Sequence, residues 1–133
     1  RSASLPNLSA FSWRDNGEME VNMVQPADMT LMRIFIGESD RFEKKPLYEA
    51  LVEYFKAEGM AGATVIKGAM GYGGHSEVHS NRLLRLSSDL PVVVEVVDSQ
   101  EKIDLVLPQL EEMLHGGLVT MEKARVIKFG KER

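Results

Sequence analysis

An α+β sandwich of the ferredoxin-like type, with element order βαββαβ, is what this chain of 133 residues predicts. Three observations carry that expectation. Two segments, 46–58 and 99–115, repeat apolar residues at helical spacing. Four segments rich in β-branched and aromatic residues flank them, giving the order strand, helix, strand, long loop, strand, helix, strand. One of those strands, 91–97, is almost continuous valine. Two helices cover one face of a four-stranded sheet, so this much valine implies burial on both faces or at a subunit contact. A bare apolar face is sticky, and closed self-association is its usual remedy.

Bulk properties exclude several classes. The chain is 44% hydrophobic and 27% charged, as an ordinary soluble domain is. No apolar run approaches the roughly 20 residues that span a bilayer. There is no cysteine, which removes disulfides, thiolate catalysis and cysteine-ligated zinc, and fits a reducing cytoplasm. The formal charge of −4 argues against nucleic acid as a partner, while leaving room for a local anion site.

Residues 1–30 read as an N-terminal extension and 31–133 as the folded domain. The extension keeps neither period 2 nor period 3.6, and its first residues lack the apolar core of a secretory signal. Part of it reads as foreign to the native chain or as a variable tail, with Met19, Met23, Met29 and Met32 as candidate starts.

Residues 31–37 form the first strand, and 38–44 a polar connection. Pro46 suits the first turn of a helix, where its missing N–H costs nothing. Leu47, Leu51, Tyr54 and Phe55 make that helix's apolar stripe, Tyr48 and Tyr54 sit at the core edge, and Gly59 and Gly62 stop it. Residues 63–70 form the second strand. In the third, 91–97, Glu95 requires a partner, and a cross-strand Lys or Arg is the simplest. Asp98 or Ser99 caps the second helix. Pro108 lies inside its stripe and predicts a kink or split near 104–107. The end of the chain predicts two short extended pieces, with a turn at 121–123 and the second piece at 124–129.

The chemistry concentrates after the second strand. Gly71, Tyr72, Gly73 and Gly74 lead into a polar stretch carrying His75, Glu77, His79, Arg82 and Arg85. Three glycines in four residues predict a bend or a ligand cradle. No Lys-Ser or Lys-Thr follows them, so this is not a Walker loop. His75 and His79 with Glu77 could hold a metal, although their spacing is a metal spacing only on a helix. No Ser-His-Asp set emerges from spacing.

The run Gly74-His75-Ser76-Glu77, then a polar loop, then Leu90-Pro91 and a valine strand, resembles the PII signalling proteins around their regulatory loop. The Gly-Tyr-Gly-Gly-His motif is closer to the PII-like domain-of-unknown-function family 190. The resemblance covers about residues 31–130. It implies a ferredoxin-like homotrimer in the cytoplasm, without enzymatic activity. ATP, ADP or AMP would bind in intersubunit clefts, and the loop would report to a membrane transporter or enzyme target. Carried onto this chain, it implies a small anionic effector held by Gly71, Tyr72, Gly73, Gly74, His75, Gly116, Gly117 and Lys128. Glu77, His79, Arg82 and Arg85 would lie on the regulatory loop. The chain departs from PII proteins in two places. Its connection at 115–118 is short, and Val126 and Lys128 stand where PII proteins have an Arg-x-Arg pair. Nucleotide contacts are therefore expected to be weaker, altered or replaced. A metal-binding trimer of the same architecture, using His75, His79 and Glu77, and a small enzyme at the same cleft are the alternatives.

Overall fold

The computed structural model describes residues 11–21, 25–73 and 89–130. They fall into two units. One comprises Arg1–Ala27 with Arg125–Arg133, and the other is Asp28–Ala124.

The first unit contains a hairpin in a stretch expected to lack regular structure. Strands β1 (Phe11–Trp13) and β2 (Met19–Val21) pair antiparallel. Gly17, at φ 82°, donates its N–H to the Arg14 carbonyl at 3.0 Å, and the Glu18 N–H meets Asn16 Oδ1 at 3.1 Å. Gly17 takes the left-handed backbone that closes this three-residue loop, a position at which glycine carries no steric cost.

The second unit carries the sandwich. The long strands are β3 (Ala27–Gly37), β6 (Thr64–Lys67), β7 (Pro91–Asp98) and β8 (Leu118–Val126), of which all but Ala27, Arg125 and Val126 fall in this unit. The sheet order is β6-β7-β3-β8, which places the first and third long strands in the centre, as the split βαβ arrangement requires. Short strands β4 (Arg41–Phe42) and β5 (Lys45–Pro46) form a hairpin whose turn holds Glu43 at φ 56°. Helix α1 (Leu47–Ala57) follows directly, with Pro46 at its N-cap, one residue earlier than expected. Helix α2 is Gln100–Met113.

Alternation sorts the sheet's faces. Met32, Ile34 and Ile36 of β3 and Val92, Val94 and Val96 of β7 are buried with Leu51, Phe55, Ile103, Val106 and Leu110 of the helices. Tyr48 and Tyr54 pack at the edge of this core, as expected. The valine strand is therefore buried on one face only. Its other face is half-exposed. Glu95 lies on that face opposite Arg33, whose Nε donates to Glu95 Oε2 at 2.7 Å. The anticipated cross-strand cation is thus Arg33, and Glu122 of β8 binds it from the other side.

Three expectations are corrected. Pro108 does not split α2, which runs as one element. Pro108 is exposed, while Ile103 and Val106 before it and Leu110 and Met113 after it are buried and hold the helix on the sheet. The turn at 121–123 is absent because β8 is continuous, with Glu122 paired to Arg33. The second strand is shorter than 63–70, ending at Lys67. Ser99 is the helix cap, receiving the Lys102 N–H at 3.3 Å. Asp98 is buried and instead ties the chain together, accepting the Ser99 N–H at 2.8 Å and the Ala61 N–H at 2.9 Å.

The Tyr54 hydroxyl bonds the Val106 carbonyl at 3.4 Å, and burial, with Glu58 adding, holds its pKa above the ordinary 10.0. The folded chain keeps this proton more tightly than the unfolded chain does. The contribution is full below pH 10.0 and is lost as pH rises through the folded value. Thermal melts should therefore show an alkaline fall in stability that is shallower in Tyr54→Phe. Equal slopes in the two proteins would refute the assignment.

Candidate ligand-binding site

Four connections gather at one end of the sheet. Gly37 at the end of β3 pairs with Pro91 at the start of β7, and Lys67 at the end of β6 pairs with Val92. The turn after β3, the chain after β6, the chain entering β7 and the turn before β8 must therefore meet there. Between them lies a cleft of about 340 Å³, lined by Phe35, Gly37, Asp40, Gly71, Tyr72, Gly73, Asp89, Pro91, Gly117 and Leu118 among others. That is within the range of small-ligand sites.

Two glycines explain how the backbones approach so closely. Gly117 has φ 96°, and a Cβ there would stand 2.7 Å from the Phe35 carbonyl oxygen. At Gly71 a Cβ would stand 3.0 Å from Pro91 Cγ. Neither Gly71 nor Gly73 has positive φ, and a Cβ on Gly73 would meet nothing within 4 Å. What Gly73 provides is open space, not a left-handed turn.

The turn after β3 is firmly tied. Gly37 donates its N–H to Asp40 Oδ2 at 2.9 Å. Ser39 donates both its N–H, at 3.1 Å, and its hydroxyl, at 2.8 Å, to Asp89 Oδ1. The Glu38 N–H reaches the Leu90 carbonyl at 2.8 Å. Glu38 Oε1 also takes Lys67 Nζ at 3.2 Å, and Lys67 lies 5.4 Å from the centre of the Tyr48 ring. The pairing with Glu38 keeps the Lys67 ammonium above the usual lysine range. Among the described residues, the charged ones lining the cleft are Asp40 and Asp89, both acidic.

A second cavity, of about 210 Å³, is lined by Asp40, Arg41, Leu47, Met113, His115 and Gly116. Asp40 borders both spaces, and the 115–118 connection separates them, with Gly116 on one side and Gly117 on the other.

Of the residues expected to bind ligand, Gly71, Tyr72, Gly73 and Gly117 line the larger cleft and Gly116 the smaller cavity. Lys128 is exposed and belongs to the first unit. Gly74, His75, Glu77, His79, Arg82 and Arg85 lie outside the described residues, and the metal alternative lies there with them. No cluster of three His, Asp or Glu side chains suited to a metal occurs among the described residues. Sequence reasoning did not bring Phe35, Asp40, Asp89, Arg41 and His115 to these two spaces. The available signal was Gly37-Glu38-Ser39-Asp40, a polar turn between a strand and a helix.

The architecture is that of PII-like proteins. It matches CPII, a nitrogen regulatory PII-like protein from Thiomonas intermedia K12 bound to ADP, AMP and bicarbonate. The TM-score is 0.56 at 16% identity, covering 80% of this chain and 94% of that one. A PII-like signalling protein from Thermus thermophilus matches with TM-score 0.54 at 20% identity, covering 77% of this chain and 93% of that one. The family model DUF190 (Uncharacterized ACR, COG1993) matches residues 29–126, and the chain belongs to that family. A UPF0166 protein of Aquifex aeolicus is 44% identical over 97 residues, 73% of this chain and 91% of its own length. One of Methanocaldococcus jannaschii is 38% identical over 99 residues, 74% of this chain and 91% of its own length.

Proposed function

We propose that this chain is a PII-like regulatory protein that binds an adenine nucleotide, ATP, ADP or AMP, at the glycine-lined cleft. The observation that carries this reading is the cleft itself, a ligand-sized space at the sheet end where the chain enters and leaves the 74–88 segment. Tyr72 lines it and is 87% exposed, offering an aromatic face on which a base can stack. The nucleotides held by CPII, which has the same fold, support the choice of ligand.

The loop 75–89 carries the output to a target, a membrane transporter or an enzyme. Support comes from Asp89, which ends that loop, lines the cleft and accepts both hydrogen bonds from Ser39. A ligand that displaced Ser39 from Asp89 would change how the loop is anchored. The working assembly is a homotrimer joined through the open sheet face. Leu31, Phe35, Val93 and Val97 are only half-buried there, and Ile66 is 47% exposed. Binding and reporting, not turnover, is the activity this arrangement supports. No helix among the described residues is long and apolar enough to cross a membrane.

Isothermal titration of the full chain with ATP, ADP and AMP tests the reading. Binding of at least one nucleotide is expected, and Gly73→Val should abolish it with the melting temperature unchanged, because it adds bulk at a residue that lines the cleft and its Cβ would meet nothing within 4 Å. A parent that binds none of the three overturns the nucleotide assignment.

A further inference from the structure

We infer that the smaller cavity is an anion subsite, and that Arg41 and His115 hold the phosphate end of a ligand whose body occupies the larger cleft. For the body of the ligand this rests on the nucleotide reading above. For the anion it does not.

The argument is one of charge. Phosphate is expected at the glycines of the larger cleft from sequence, but among the described residues the charged groups lining that space are Asp40 and Asp89. Two carboxylates repel a phosphate. The smaller cavity differs in composition. Among the described residues it sets two hydrogen-bond donors, the Arg41 guanidinium and the His115 imidazole, against one carboxylate, Asp40, which already accepts the Gly37 N–H at 2.9 Å. Leu47 opens α1 and Met113 closes α2, so the positive end of one helix and the negative end of the other border the cavity. Their fields offset each other, and the side chains decide the local sign.

Geometry supports the same assignment. Arg41 NH2 donates to the Lys44 carbonyl at 2.7 Å across the β4–β5 hairpin, which orients the guanidinium before any ligand arrives. Its other N–H groups can then meet phosphate oxygens in a fork. The two spaces share Asp40, and consecutive glycines, Gly116 and Gly117, line one each. A nucleotide lying over this connection would place its base by Tyr72 and its phosphate by Arg41. This arrangement would replace the arginine pair the chain lacks near its C-terminus.

Amide chemical shifts of the full chain, followed while titrating inorganic phosphate and, separately, adenosine, test the division. Phosphate should move Arg41, His115 and Gly116, and adenosine should move Gly71, Tyr72 and Gly117. Calorimetry with AMP should show a loss of about 10-fold or more in Arg41→Ala and a smaller loss in His115→Ala. Adenosine affinity should be unchanged in both. Both side chains are exposed, so the fold survives their removal. If phosphate moves only Gly71 and Gly73, or if both variants bind AMP as the parent does, the subsite is refuted. If phosphate still moves the cavity but adenosine binds nowhere, the subsite stands and the nucleotide reading falls. If phosphate moves no residue, the subsite is refuted whatever adenosine does.

Discussion

Val94→Asp is expected to leave the chain unfolded at room temperature. Val94 has 0% of its surface exposed and sits between Ile34 of β3 and Val65 of β6 on the face that meets the helices. Replacing it removes about 2 kcal/mol of apolar burial. The carboxylate would also be buried without a partner, which costs about 3–5 kcal/mol more. A domain of this size has roughly 5–15 kcal/mol in total, so the loss approaches the whole. Circular dichroism should show no cooperative melt. The neighbour Val93 provides the control, because it lies on the half-exposed face. Val93→Asp should keep the fold, and light scattering should report dissociated chains if that face joins the subunits. A Val94→Asp protein that melts cooperatively near the parent's temperature would show that the two faces have been exchanged.

Gly117→Val is expected to cost about 3 kcal/mol or more. The backbone there has φ 96°, a region that β-branched residues scarcely enter. The new Cβ would also stand 2.7 Å from the Phe35 carbonyl oxygen and 3.5 Å from Ile36 Cγ2. The first contact is with backbone in a central strand and cannot be relieved by a rotamer change. The melting temperature should fall by roughly 10 °C or more, and the nucleotide binding proposed for the cleft that Gly117 lines should be lost with it. Gly73→Val, equally bulky, meets nothing and should melt as the parent does. Equal melting temperatures for the two variants would rule out the close approach to Phe35.

The hairpin at Phe11–Trp13 and Met19–Val21 has a local signal, Asn16-Gly17 between two short runs with β-formers, but its strands are too short to show a period. The long elements were readable because their cause is local. Apolar spacing declares which face of a helix or strand leaves water, and the order of the elements then permits few topologies. For the same reason Glu95 announced its need for a cation before Arg33 was known to be opposite.

By itself the sequence determined the ferredoxin-like order and the two helical stripes. Only the tertiary structure decided that the valine strand has one buried face and one open face, because register with β3 and β6 sets which side meets the helices. It alone brought Phe35, Asp40, Asp89 and Gly117 to one cleft, although they span residues 35–117. It alone brought Arg41 and His115 to one cavity. Charge and shape in a cleft are sums over residues distant in the chain, and no pattern of neighbours along the sequence contains that sum.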